Sequence, residues 1–281
     1  MLFLKRRNSF HIGLIVFIAM STIMSCNHFP YSKTNRFYKK HTKDLIKLVK
    51  ENPSIQTVSQ LPKSSDWVGT TNFDLRKPNF VIIHHTAQNS CEQTLRTFTL
   101  ERTKVSAHYV ICKDGTIHHM LNDYMRAWHG GIAKWGNNTD INSSSIGIEL
   151  DNNGFEPFDS AQINSLLLLL AQLKENYKIP DANFIGHGDI APKRKVDPNI
   201  QFPWALLAQN GYGLWFEPNP QYTLPDQISI PFALAMVGYD IKDSTAALLA
   251  FKRHFRADST AVVTEMDRSV LFQLIQNKLS H

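Results

Sequence analysis

Along the chain, short runs of apolar residues alternate with longer amphipathic tracts, and proline, glycine and charged residues separate them. Phe80-Val-Ile-Ile83 is an apolar run of the length and bounds expected of a buried strand. Further strands are predicted at His108–Ile111 and Thr116–Met120, joined through Asp114-Gly115 as a hairpin turn. Ser145-Ile-Gly-Ile-Glu-Leu150 and Asn183-Phe-Ile-Gly186 read as two more. Ser160–Tyr177 predicts a helix with Asp159 as N-cap and Gln162 three residues on, and its run Leu166–Leu170 implies cover on most sides. Interleaved strands and helices predict an α/β domain over 66–216, a central mixed sheet flanked by helices.

The flanking regions have a different texture. Residues 26–65 are polar and basic, with one helix expected near Asn35–Glu51 and stopped by Pro53, and read as a tether and entry segment. After Trp215, Glu217-Pro-Asn-Pro220 and Leu224-Pro225 mark a linker over 217–227. Residues 228–281 predict three short helices, at about 230–237, 243–255 and 264–279, as a small separate domain. Leu248, Phe251 and Phe255 share a face in the second, and Val270, Leu271, Leu274 and Ile275 share one in the third.

The first 25 residues read as an export signal. Lys5-Arg6-Arg7 forms a positive region and Phe10–Met24 an apolar stretch too short to span a bilayer as a helix. The stretch ends in Ile23-Met24-Ser25-Cys26, which resembles the lipobox of bacterial lipoproteins. That resemblance implies cleavage before Cys26, acylation of Cys26 and anchorage on the periplasmic face of a membrane. Asn27 is not the aspartate of the inner-membrane retention cue, which points to the outer membrane. An ordinary secretory signal and a retained membrane anchor are the alternatives.

Composition changes this picture little. With 281 residues, 43% hydrophobic and 19% charged, the chain can build a packed core. Three of the six net positive charges sit in Lys5, Arg6 and Arg7, so the remainder is too weakly basic to imply a nucleic-acid partner. Cys91 and Cys112 remain beyond Cys26. Spacing alone gives no sign that they meet, and two small buried side chains are the favoured reading.

Candidate chemistry concentrates in three places: His84 directly after the strand Phe80–Ile83, His187 directly after Gly186, and Asp197 ten residues later in the same loop. Two imidazoles and a carboxylate form a common catalytic zinc set that leaves a fourth position for water. Among twelve histidines, however, such a triple also arises without function.

The blocks FVIIHHTA, VSAHYVICKDGTIHHM, RAWHGG, SIGIEL and GHGDIAPKRKVDP occur in that order between about Trp67 and Leu207. They resemble the type 2 N-acetylmuramoyl-L-alanine amidases, whose fold is shared with phage T7 lysozyme and animal peptidoglycan-recognition proteins. The resemblance implies one Zn2+ per chain, held by His84 rather than His85, by His187 and by Asp197. It also implies that Glu149 moves the proton of the attacking water and that Lys195 stabilises the oxyanion. Trp128 and His129 would line the substrate groove, His85 would pack behind the site, and His108 would be structural support. His118 and His119 are expected on an exposed strand.

The tail resembles a three-helix peptidoglycan-binding domain at Gly238-Tyr239-Asp240 and Thr245–Phe251, without that family's glycine-rich turns; a structural cap is the alternative. The expected partners are peptidoglycan or muropeptides, with the lipid at Cys26 reaching the membrane. The expected activity is hydrolysis of the amide between N-acetylmuramic acid and L-alanine. A catalytically inactive recognition protein and a zinc peptidase cutting within the stem peptide are the rivals.

Overall fold

The computed structural model describes residues 30–50, 70–75, 77–217 and 222–279. The chain divides into two compact units, Met1–Thr71 and Asn72–His281. In the first, α1 (Ser32–Lys50) is the expected helix, and none of its residues is buried. Its predicted end at Glu51 and Pro53, the signal segment and Cys26 lie outside the described residues.

The second unit is built on five strands: β1 (Phe80–His85), β2 (Tyr109–Ile111), β3 (Ile117–His119), β4 (Ser145–Leu150) and β5 (Phe184–Gly186). Their order is β3-β2-β4-β1-β5, with only β3 antiparallel, so the sheet is mixed as expected. Alternation along each strand assigns the two faces. Val81 and Ile83 of β1 and Ile146, Ile148 and Leu150 of β4 pack under α4 (Ser160–Tyr177) through Leu166, Leu169, Leu170 and Leu173. Ile82 of β1 and Ile185 of β5 point to the opposite face.

That opposite face is where the tail lies. The helices α7 (Ile230–Val237), α8 (Ser244–Arg256) and α9 (Glu265–Leu279) follow the predicted spans. They do not form a core of their own. Leu234, Phe251, Val270 and Leu274 belong to one apolar cluster with Ile82, Ile185 and Ile190. Leu224, inside the expected linker, is buried in the same cluster. The boundary read at 217–227 therefore separates two stretches of sequence and not two cores.

Three local expectations change. Asp159 is at the N-cap of α4, but its side chain makes no capping hydrogen bond there. Gln162 is instead fully buried, and its amide donates to Ile111 O (2.9 Å) and Asp151 O (3.1 Å), tying α4 to the ends of β2 and β4. Cys91 and Cys112, favoured as unpaired, form a disulfide. It ties β2 to α2 (Cys91–Phe98), a helix the periodicity did not reveal. Its signal was Ser90-Cys-Glu-Gln93, an N-terminal S-x-x-Q, and Ser90 Oγ does accept from Gln93 N (3.2 Å). The short helices α3 (Ile141–Ser144), α5 (His187–Ile190) and α6 (Trp204–Gln209) complete the unit.

Candidate active site

Parallel strands β4, β1 and β5 end at one edge of the sheet, where side chains can converge on a single point. His84, at the end of β1, shares parity with Ile82 and faces the tail side. Its partner in register on β4 is Glu149, and the two side chains approach to 3.9 Å (Nδ1 to Oε1). His187 begins α5 immediately after β5, one residue past the position paired with Ile83. Asp197 returns to the same point because its carbonyl accepts from Gly188 N at 2.7 Å, which folds the loop 188–197 back on itself.

The result is a buried trio. His84 Nδ1 is 2.9 Å from His187 Nδ1 and 3.1 Å from Asp197 Oδ2, and His187 Nδ1 is 3.0 Å from Asp197 Oδ2. The outer nitrogen of His187, Nε2, donates to Gly130 O at 3.1 Å. A carbonyl can only accept, so in the neutral ring Nδ1 carries a bare lone pair. Lone pairs and a carboxylate this close need a cation between them. Their spacing is near the roughly 3.3 Å edge of a tetrahedron with bonds of ~2.0 Å to nitrogen and oxygen. His84, His187 and Asp197 thus fit a metal ion, and the expected ligand set is brought together.

Burial dominates the electrostatics. His84 is lowered from 6.5 to about 4, first by burial and then by His187, so its ring is neutral and free to bind metal at ordinary pH. Burial also pushes Asp197 up, but the facing His187 and His84 outweigh it and hold the carboxyl well below the usual range. Glu149 is driven well above the usual carboxylate range by burial, with Asp197 adding and Lys195 opposing.

The trio opens into a cleft of about 670 Å3, bordered by Thr86, Gln88, Phe98, Val105, Trp128, Glu149 and Lys195. Trp128 is 49% exposed there, its backbone held by Ser106 through paired bonds of 2.9 and 3.0 Å. His129 borders the same cleft but is only 8% exposed. Both its ring nitrogens are engaged, Nδ1 with His84 Nε2 (3.0 Å) and Nε2 with Ser145 Oγ (3.1 Å). Expected beside the substrate, it is turned to the inside of the site. His85 points away, its Nδ1 accepting from Asn199 N at 3.0 Å. His108 is fully buried between Gly147 N and Met125 O, as structural support would be. His119 lies on the outer strand, stacked on Tyr109.

Several neighbours of the site were given no part in it by the sequence. Asp189, two residues after His187, accepts from Gly186 N (2.8 Å) and from Tyr239 hydroxyl (2.8 Å), and His254 Nδ1 donates to it at 2.7 Å. All three side chains are buried, and His254 stacks on Trp204 at 3.8 Å. The tail is therefore hydrogen-bonded directly to the turn that presents His187. Arg194 donates to Gly130 O and Ile132 O, pinning the loop that carries Trp128 and His129.

Comparison with known proteins bears on the same residues. The family model described as N-acetylmuramoyl-L-alanine amidase (Amidase_2) matches residues 74–200, which contain all five expected catalytic and metal positions. The chain is 35% identical over 209 residues to N-acetylmuramoyl-L-alanine amidase AmiD of Escherichia coli K12, covering 63% of this chain and 74% of that one. It is 40% identical over 102 residues to 1,6-anhydro-N-acetylmuramyl-L-alanine amidase AmpD of Haemophilus influenzae, covering 36% of this chain and 55% of that one. The chain thus spans about half the length of that second relative. The solved complex of E. coli AmiD with anhydro-N-acetylmuramic acid-L-Ala-D-gamma-Glu-L-Lys superposes with a TM-score of 0.68 at 29% identity. That superposition covers 77% of this chain and 97% of the AmiD chain. Sharing the matched region that holds the trio and nearly the whole of AmiD's architecture, the chain belongs to the N-acetylmuramoyl-L-alanine amidase family.

Proposed function

We propose that the protein hydrolyses the amide between N-acetylmuramic acid and L-alanine in peptidoglycan or muropeptides, with one zinc ion held by His84, His187 and Asp197. The observation that carries this reading is the trio of donors 2.9–3.1 Å apart, with Glu149 on the adjacent strand 3.9 Å from His84, at the floor of an open cleft. Zinc in such a site supplies Lewis acidity, making water more acidic and polarising a carbonyl. Glu149 then acts as general base and acid: Oε1 accepts the proton of the attacking water and returns it to the departing alanine nitrogen. Burial raises the proton affinity of Glu149 and helps it hold the proton between the two transfers, and a cation in the trio would oppose that rise so that the carboxylate begins ionised. Lys195 borders the same cleft as Asp197 and would supply a positive charge to the carbonyl oxygen as it becomes anionic. Trp128 offers a half-exposed indole face at the cleft rim for the sugar or the stem peptide.

The anchor is a separate part of this proposal and rests on sequence alone. Acylation at Cys26 after removal of residues 1–25 would hold the enzyme on the periplasmic side of a bacterial membrane, by preference the outer one. Stable anchorage needs more than one acyl chain, and lipoprotein processing supplies that. Cell-wall turnover or remodelling is the process such a location serves.

Mass analysis of muropeptides after incubation with the zinc-loaded protein tests the activity. Release of an intact stem peptide beginning at L-alanine, with free muramic acid product, is the expected result. Cleavage inside the stem peptide would make it a peptidase, and an unaltered digest with zinc bound would make it a recognition protein.

A further inference from the structure

The hydrogen bonds behind His84 run in a chain that ends on a backbone carbonyl, and that end dictates every proton in it. Ser145 Oγ lies 2.6 Å from Ile141 O, which can only accept, so the single hydroxyl hydrogen points there. Ser145 Oγ is then an acceptor for His129 Nε2 at 3.1 Å, which places the His129 proton on Nε2. His129 Nδ1 is left bare and accepts from His84 Nε2 at 3.0 Å. His84 in turn carries its proton on Nε2 and presents Nδ1 to Asp197 and His187.

We propose that Ser145 and His129 are positioning residues that fix the tautomer and the ring orientation of His84, so that Nδ1 is the metal-binding nitrogen. This rests on the reading of His84 as a metal ligand, and it moves His129 from the substrate groove to the support of that ligand. The surrounding fold is shaped for this purpose. In β4, Ser145, Gly147 and Glu149 alternate with the buried Ile146, Ile148 and Leu150, so all three face the site. The ring of His129 lies over Gly147, where a Cβ would stand 2.4 Å from its Cγ, a clash with the ring body that no side chain at 147 could avoid. Asn142 Oδ1 receives the backbone N–H groups of His129 (3.2 Å) and Gly130 (2.8 Å), holding the loop at the height of the ring. The same segment therefore serves both histidines of the trio, His84 through the His129 ring and His187 through Gly130 O. Orientation of a ligating imidazole by such an outer partner commonly contributes 10–100-fold to metal affinity.

The test uses the full chain loaded with zinc. Nitrogen-15 NMR of the histidine rings is expected to show His84 and His129 both neutral with the proton on Nε2. Zinc competition against a chelator is expected to show His129→Leu weakened about 10–100-fold. His129→Asn should restore most of that loss, since Asn Oδ1 can accept from His84 Nε2 where Nδ1 did. Ser145→Ala should weaken zinc binding less, and should admit the other His129 tautomer in the NMR spectrum. A proton on His84 Nδ1, or His129→Leu binding zinc as tightly as the parent chain, would overturn the proposal. If His129→Leu does not fold, Ser145→Ala and the spectrum of the unsubstituted protein decide the question. All these readouts are independent of amide hydrolysis. Loss of the proposed activity with the tautomers intact would strike the proposed function alone, and absence of any zinc binding would strike both.

Discussion

Truncating Phe251 to alanine asks whether the tail is a module or part of the enzyme's fold. Phe251 sits on α8, is fully buried, and belongs to the cluster that contains Ile82 of β1 and Ile185 of β5. Removing a buried phenyl ring costs about 3–5 kcal/mol from lost burial and the cavity left behind. For a unit of this size, each kcal/mol lowers the melting temperature by roughly 2–4 °C, so a drop on the order of 10 °C is expected. Because the cluster is shared, calorimetry should show one transition for Asn72–His281 that moves as a whole. Zinc release, followed with a fluorescent chelator, should shift by the same amount, because Asp189 joins Tyr239 and His254 to the turn bearing His187. Two transitions, with only the smaller one moving and zinc release unchanged, would refute the shared core and restore the tail to an independent binding domain. The same reasoning expects truncation before Gln221 to expose Ile82, Ile185 and Ile190 and to cost folding as well as any affinity for the wall.

Glu149→Gln should keep zinc, measured by metal analysis, and lose about two to four powers of ten in turnover; near-normal turnover would remove Glu149 as the proton carrier. In the metal-free protein His84 should titrate near pH 4 by NMR, well below 6.5. Because the unfolded chain then binds the proton first, stability is fully present above pH 6.5 and falls as pH drops towards 4, by roughly 3 kcal/mol. A flat urea midpoint across that window would contradict this. Replacing Cys91 and Cys112 by serine should cost about 3 kcal/mol in denaturant unfolding, the expected value for a loop of this length, and an unchanged midpoint would argue that the pair carries no stability. Cys26→Ser should abolish incorporation of labelled fatty acid and release the protein from membranes. Labelling that persists in this variant would place the lipid elsewhere.

What the sequence by itself determined is what depends on neighbours along the chain. The apolar runs Phe80–Ile83 and Ser145–Leu150 specify strands because their side chains must leave water, and the structure has β1 and β4 there. The helices α4, α7, α8 and α9 likewise fall on the predicted spans, since helix-forming runs and the caps and breakers that bound them are local properties. The zinc candidates were legible for a related reason: His84 and His187 each directly follow a strand, and parallel strands β1 and β5 end at the same edge. Tertiary structure alone decided the rest. Whether Cys91 meets Cys112 depends on α2 crossing the end of β2, and whether the tail forms its own core depends on the apolar face the sheet leaves open. The resemblance of the RAWHGG block puts both Trp128 and His129 at the groove, and both do border the cleft. Only the register of β4, with Gly147 leaving room beneath the His129 ring and Ser145 fixing its proton, turns that ring towards His84. Spacing along the chain cannot encode such contacts, because each one joins residues that the fold brings together from separate strands and loops.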